Sequence, residues 1–232
     1  THADWPNVRF DSAAVEPFER QFLLSSGEIL GAVRHVTADE RDRLRVELLS
    51  DEAMRTSAIE GEVLDRASVQ SSLRRQFGLS SDDAPSKPRE QGVAEMMVDV
   101  YSTYAEPLTH NTLSRWHGML LAHDRGLETI GDYRRHADAM QIVSGRIDRQ
   151  TVHFEAPPSA QVQGEMEVFV DWFNRTAPDG PTPLPALTRA ALGHLWFESI
   201  HPFEDGNGRL GRALAEKSLA QNIGQPSLIA LA

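Results

Sequence analysis

Along most of this chain apolar residues recur at helical rather than strand spacing. Thr37 or Asp39 is placed to cap a helix through Ser50, with Leu44, Val46, Leu48 and Leu49 set among charges. A shorter helix is expected from Asp51 to Glu60, stopping at Gly61, where glycine closes helices. Another spans Arg66 to Phe77 and ends at Gly78. Helical patterns resume at about Glu90–Tyr104, Asn111–His123, Gln161–Asn174, Thr188–Ile200 and Gly208–Gln221. Trp116, Trp172, Trp196 and Phe197 sit at helical spacing and read as core. The polar, proline-punctuated stretch Ser80–Pro88 reads as a linker. One region departs from the helical rule. Gln141-Ile142-Val143 and Thr151-Val152-His153-Phe154 are β-prone runs around the turn formers Ser144-Gly145 and Asp148. A hairpin in a helical protein exposes unpaired backbone at its edge. It is either a surface decoration or an edge to which a partner segment adds as a strand. The fold class is therefore all-α with a small β-hairpin.

Composition narrows the chemistry. The 232 residues carry 34 acidic and 23 basic side chains, a net charge of −11, and the basic set is 21 arginines with two lysines, Lys87 and Lys217. Neither lysine stands in a G-x-x-x-x-G-K-[ST] or V-A-I-K frame, which excludes P-loop and protein-kinase phosphate chemistry. Phosphate here must be handled by arginine or backbone amides. The absence of cysteine excludes disulfides, thiolate zinc sites and cysteine nucleophiles. No apolar run reaches a membrane span, no signal-peptide pattern opens the chain, and the acidic balance argues against broad nucleic-acid binding. A cytoplasmic protein is the expectation.

Residues 201–212 concentrate the chemistry: His-Pro-Phe-Glu-Asp-Gly-Asn-Gly-Arg-Leu-Gly-Arg. A helix ends near Ile200, and Pro202 discourages its continuation through His201. Gly206, Asn207 and Gly208 form a small-residue loop whose N–H groups converge on an anion at the next helix N-terminus. Arg209 and Arg212, three apart on that helix, project to neighbouring positions and offer the planar donors phosphate prefers. Asp205 is a hard carboxylate suited to a magnesium–polyphosphate site, and His201 is a general base at neutral pH. The run Gly206-x-Gly208-x-x-Gly211 also matches the dinucleotide fingerprint. It lacks the preceding strand and the acidic residue some 20 positions later. An EF-hand spacing fails as well. A plain helix–loop–helix corner accounts for the glycines and leaves His201, Asp205, Asn207 and both arginines unexplained.

This run resembles the signature of the Fic family, H-P-F-x-[DE]-G-N-G-R-x-x-R, at every fixed position. The likeness extends through Gly131-Asp132-Tyr133-Arg134, the hairpin and Ala156-Pro157-Pro158. It implies a Fic-type helical core at 89–232 carrying the hairpin as a flap. Residues 1–88, including Trp5 and Arg9-Phe10-Asp11, resemble the helical region preceding this core in bacterial members. The resemblance implies transfer of AMP from ATP, with Mg²⁺, to a Ser, Thr or Tyr hydroxyl of a target protein. In it His201 is the base and Asp205 the metal ligand. Gly206, Asn207 and Gly208 cradle the phosphates, with Asn207 on the α-phosphate. Arg209 neutralises the leaving pyrophosphate, Arg212 grips the γ-phosphate, and Phe203 anchors the loop. Ile142 and Val143 on the flap align the target segment. Family members also move other phosphate-containing groups with this motif, and a catalytically silent regulatory module is the non-enzymatic alternative. By analogy the protein forms a homodimer. Family members usually continue past the point where this chain stops, which implies a truncated C-terminus.

Thr56-Ser-Ala-Ile-Glu60-Gly61 is a second, weaker signal. Ser57-x-x-Glu60 reads as a capping box. Beside the Fic motif, the same run matches the inhibitory [ST]-x-x-x-E-[GN] pattern of the group whose inhibitory helix, here about 51–61, is N-terminal. That match implies a Glu60 that pairs with Arg212 and denies it to the γ-phosphate, and that in some relatives supports removal of AMP. His110, His117, His123 and His194 read as solvated or packing histidines rather than metal ligands.

Overall fold

The computed structural model describes Trp5 and residues 8–80, 87–137, 140–146 and 149–226, with backbone alone over 142–146 and 149–150. Linker residues 81–86, Asp148 and the final residues Leu231 and Ala232 lie outside that set. Two long helices open the described chain: α1 (Ser12–Val33) and α2 (Ala38–Ile59). The pattern of apolar positions did not single out α1, on which Phe22 packs against Ala186, Ala190 and Leu219 while Phe18, Leu23, Leu24 and Ile29 remain exposed. It is tied down by a carboxylate. The buried Glu19 accepts from the N–H groups of Leu187 and Thr188 at 3.0 and 2.7 Å, capping a distant helix N-terminus.

Helix α2 corrects the expectation of two helices meeting at Ser50–Asp51. Ser and Asp favour caps because they bond local backbone. Here the Ser50 hydroxyl is satisfied by the Val46 carbonyl one turn back, at 2.5 Å, and the helix runs on. Its N-terminus is a capping box between Thr37 and Glu40. Its C-terminus closes at Gly61 (φ 79°), with Gly61 N–H on the Ala58 carbonyl and Glu62 N–H on the Ser57 carbonyl, at 3.0 and 2.9 Å. Glu60 is thus the C-cap of α2, not the partner of Ser57 in a capping box.

Helices α3 (Arg66–Gln76), α4 (Pro88–Thr103) and α5 (His110–Leu121) follow, each within about two residues of expectation. The hairpin β1 (Gln141–Arg146) and β2 (Arg149–Glu155) pairs Ile142 with Phe154, then shifts register so that Val143 faces Val152. Helices α6 (Ser159–Arg175), α7 (Ala186–Ile200) and α8 (Asn207–Ile223) complete the order. Trp116, Phe169, Phe173, Phe197, Phe203, Leu210 and Leu214 are fully buried among them, while Trp172 packs partly buried against that core. Eight helices and one hairpin, among the described residues, make an all-α fold. Among those residues no helix is long and apolar enough to cross a membrane.

Candidate active site

The loop His201–Gly206 joins α7 to α8 and is braced from several sides. His201 closes α7 in the left-handed conformation (φ 50°), the sole non-glycine at positive φ among the described residues. Its carbonyl accepts from Arg134 Nε at 2.8 Å. The guanidinium of this buried arginine also donates to Pro157 O and Ser159 Oγ, and the backbone N–H of Arg134 donates to Pro202 O at 2.9 Å. The Phe203 ring stacks on His117, centroids 4.2 Å apart, and packs on Tyr133 and Phe197. His117 Nδ1 accepts from Gly131 N–H at 2.8 Å. Burial pushes this imidazole down to about 4, so it is neutral at physiological pH. Glu204 turns away from the loop to accept from the N–H groups of Glu128 and Thr129 and the Thr129 hydroxyl.

The Asn207 carboxamide closes the loop on itself. Its Oδ1 accepts from Phe203 N–H and its Nδ2 donates to Phe203 O, at 3.0 and 2.8 Å. That side chain is buried and committed, so what Asn207 offers an anion is its backbone N–H. Gly206 (φ 76°) leads into α8, and a Cβ there would press on Leu120 and Leu121 at 3.2 and 3.0 Å. The first N–H groups of α8 have no intrahelical acceptor and point out of its N-terminus.

His201 stands beside that terminus. Burial first, then the charge of Arg134, hold its imidazole below the ordinary value of 6.5, although the Glu198 backbone carbonyl accepts from the ring. Its Nδ1 lies 4.0 Å from the Glu198 carboxylate. That carboxylate is pushed up by burial. The ring is therefore neutral near pH 7 and free to accept a proton. Asp205 is half-exposed, with Oδ1 on Gly206 N–H at 2.6 Å. It is a hard oxygen donor beside the anion nest. No cluster of three His, Asp or Glu residues that could hold a metal exists among the described residues.

The far wall of the nest comes from α2. A Cβ on Gly208 would collide with Glu60 Oε1, so this carboxylate lies against the first turn of α8. Arg212 donates through Nη2 to Glu60 Oε1 at 2.7 Å and to Thr56 O at 3.1 Å, and through Nε to Thr56 Oγ1 at 2.6 Å. Arg209 Nη1 meets Glu62 Oε2 at 2.6 Å, and its Nη2 is 3.9 Å from Asp205 Oδ2. All the expected loop residues, and Glu60, thus converge on one place. Glu62 was not singled out in the sequence, and Arg134 entered only as part of the Gly131–Arg134 run of the resemblance, without its bracing role. The signal available for Glu62 was an acid one residue past the glycine of the inhibitory pattern.

The hairpin borders the other side. A groove of about 600 Å³ is lined by Trp5, by His153, Phe154 and Glu155 of β2, by Pro157, and by Ser199 and Ile200 of α7. Ile142 and Val143 lie on the opposing strand β1. His110 bonds the Tyr133 hydroxyl at 2.7 Å, and His194 Nδ1 packs near Gly211 between α7 and α8. Both are packing histidines.

Residues 107–219 match the Fic/DOC family, and residues 1–79 match a family described as a domain of unknown function, DUF4172. The protein adenylyltransferase Fic of Nematostella vectensis is 26% identical over 178 residues, covering 75% of this chain and 38% of that protein. A probable protein adenylyltransferase of Aquifex aeolicus is 33% identical over 69 residues, 30% of this chain and 20% of that one. The chain spans 20–38% of the length of these curated relatives. The structure of a Fic domain containing signaling protein from Bacteroides thetaiotaomicron superposes with a TM-score of 0.66 at 21% identity. It covers 88% of this chain and 72% of that one, a likeness of fold. A Fic family protein from Desulfovibrio desulfuricans has a TM-score of 0.58 at 27% identity, covering 93% and 59%.

Proposed function

From the premise that this chain carries a Fic/DOC-family domain, we propose that it transfers AMP from ATP to a Ser, Thr or Tyr hydroxyl of a target protein, and that Glu60 restrains it. One observation carries the reading: a neutral His201 stands beside an anion nest at the N-terminus of α8, with Arg209 and Arg212 on the helix behind it. His201 takes the proton of the target hydroxyl as that oxygen bonds to the α-phosphorus. The bond from the α-phosphorus to the bridging oxygen breaks, and pyrophosphate leaves. Backbone N–H groups of Asn207 and Gly208 stabilise the charge on the phosphates, and the arginines hold the leaving end. Asp205 is the side chain that would hold Mg²⁺, which neutralises phosphate charge when bound. The free edge of the flap, with Ile142 and Val143, aligns an extended target segment by backbone pairing.

In the arrangement described, Arg212 is engaged by Glu60 and Thr56 and is not available to a γ-phosphate. A carboxylate held against Arg212 repels an approaching phosphate, so the two compete for that cation. A second, AMP-removing activity that uses Glu60 rests on the family resemblance alone. Incubating Glu60→Gly with target lysate and ATP labelled at the α- or the γ-position tests the whole reading. Label from the α-position alone, stronger than in the parent and lost on adding His201→Ala, is expected. Label from γ alone makes the protein a kinase-like transferase. Label from neither makes it a binding module.

A further inference from the structure

Arg212 is not the only motif arginine that the end of α2 holds. Arg209 is 1% exposed, and its Nη1 is paired with Glu62 Oε2 at 2.6 Å. Its Nε is buried without a hydrogen-bond partner, so this guanidinium depends on Glu62, with Asp205 farther off at 3.9 Å, for charge compensation. Glu60 and Glu62 flank Gly61 in one closed turn, fixed by the bond from Glu62 N–H to Ser57 O.

We propose that Glu62 is a second gate on the phosphate site: it commits Arg209 as Glu60 commits Arg212, and a nucleotide polyphosphate gains both arginines only when the turn withdraws. The identity of that nucleotide rests on the adenylyl-transfer reading above, whereas the pairing itself does not. The reason is charge. A polyphosphate approaching Arg209 with Glu62 still in place would put two anions on one desolvated cation, and the second anion is repelled at short range. Truncating Glu60 frees Arg212 and leaves Arg209 held, so the single substitution opens the site by half.

The test is ATP affinity in the presence of Mg²⁺, by calorimetry on the full chain, for the parent, Glu60→Gly, Glu62→Gln and the double variant. Gln is isosteric with Glu and keeps a hydrogen bond to the buried arginine while removing the charge. Glu60→Gly is expected to bind ATP more tightly than the parent. Adding Glu62→Gln should tighten it about tenfold more, which is ~1.4 kcal/mol. Glu62→Asp, which keeps the charge but retracts the carboxylate, should fall between. Unchanged or weaker binding on adding Glu62→Gln, with Glu60→Gly still improved over the parent, would make Glu62 a support for Arg209 and overturn the second gate alone. A lowered melting temperature without an affinity gain overturns it in the same way. No ATP binding by any variant would remove the nucleotide reading itself, and this inference with it.

Discussion

The motif loop and the turn that clasps it are held by different physics. The loop His201–Gly206 is fastened by buried groups. Phe203 stacks on His117, the Asn207 carboxamide closes on Phe203, and Arg134 pins the carbonyl of His201. The turn Ile59–Val63 is fastened by ion pairs to partly exposed carboxylates, with the Glu60 and Glu62 side chains 32% and 20% exposed. Its apolar residues point to water: Ile59 is 59% exposed and Val63 90%. Interior packing tolerates little displacement, whereas an ion pair can exchange one anion for another as long as the buried guanidinium keeps a counter-charge. On the proposed reading, the loop is fixed by packing and the clasp can exchange its arginines for another anion.

The largest way to break this contrast is at the loop's anchor. Phe203→Ala removes a fully buried ring and its stacking on His117, and should cost about 3–5 kcal/mol of stability by denaturant melting. Labelling by Glu60→Gly should fall with it, because the loop then loses its seat. A cost under about 1 kcal/mol would mean that the loop does not rest on the core.

His117 gives a smaller effect that acid can turn on. Its folded-state value is about 4 against 6.5 for an unhindered imidazole, so the unfolded chain binds its proton first as pH falls. Stability from this group is complete above pH 6.5 and is lost as pH falls towards 4, up to about 3 kcal/mol. The stability difference between pH 7 and pH 4 should shrink by that order in His117→Gln, whose amide oxygen still accepts from Gly131 N–H. An unchanged difference would show that the imidazole is not held neutral beneath Phe203.

Much of this was legible in the chain because it is local. Helices α3 to α8 follow from apolar spacing, proline and glycine, and the loop chemistry follows from consecutive residues. What escaped is non-local. Helix α1 docks in part through Glu19, a carboxylate bonded to residues 187 and 188 that no local spacing announces. The Ser50–Asp51 pair looks like a helix start until the Val46 carbonyl is seen to take the serine hydroxyl. The bonds of the Asn207 side chain to the Phe203 backbone are a bracing contact that the motif does not announce. Glu62 stands 147 residues from Arg209, and no spacing rule joins them.

The smallest expected effect tests the other half of the contrast. If the clasp is purely polar, its exposed apolar residues contribute nothing to it, since area left in water yields no burial free energy. Val63→Ser changes the side chain immediately after Glu62 and leaves both ion pairs intact. It should move stability by less than about 0.5 kcal/mol and leave target labelling at the parent's restrained level. A stability loss above about 1 kcal/mol, or labelling that rises towards that of Glu60→Gly, would mean that Val63 packs where the turn meets α8. The restraint would then be an apolar contact reinforced by charge, and a partner would have to displace a packed surface, not only compete for two arginines.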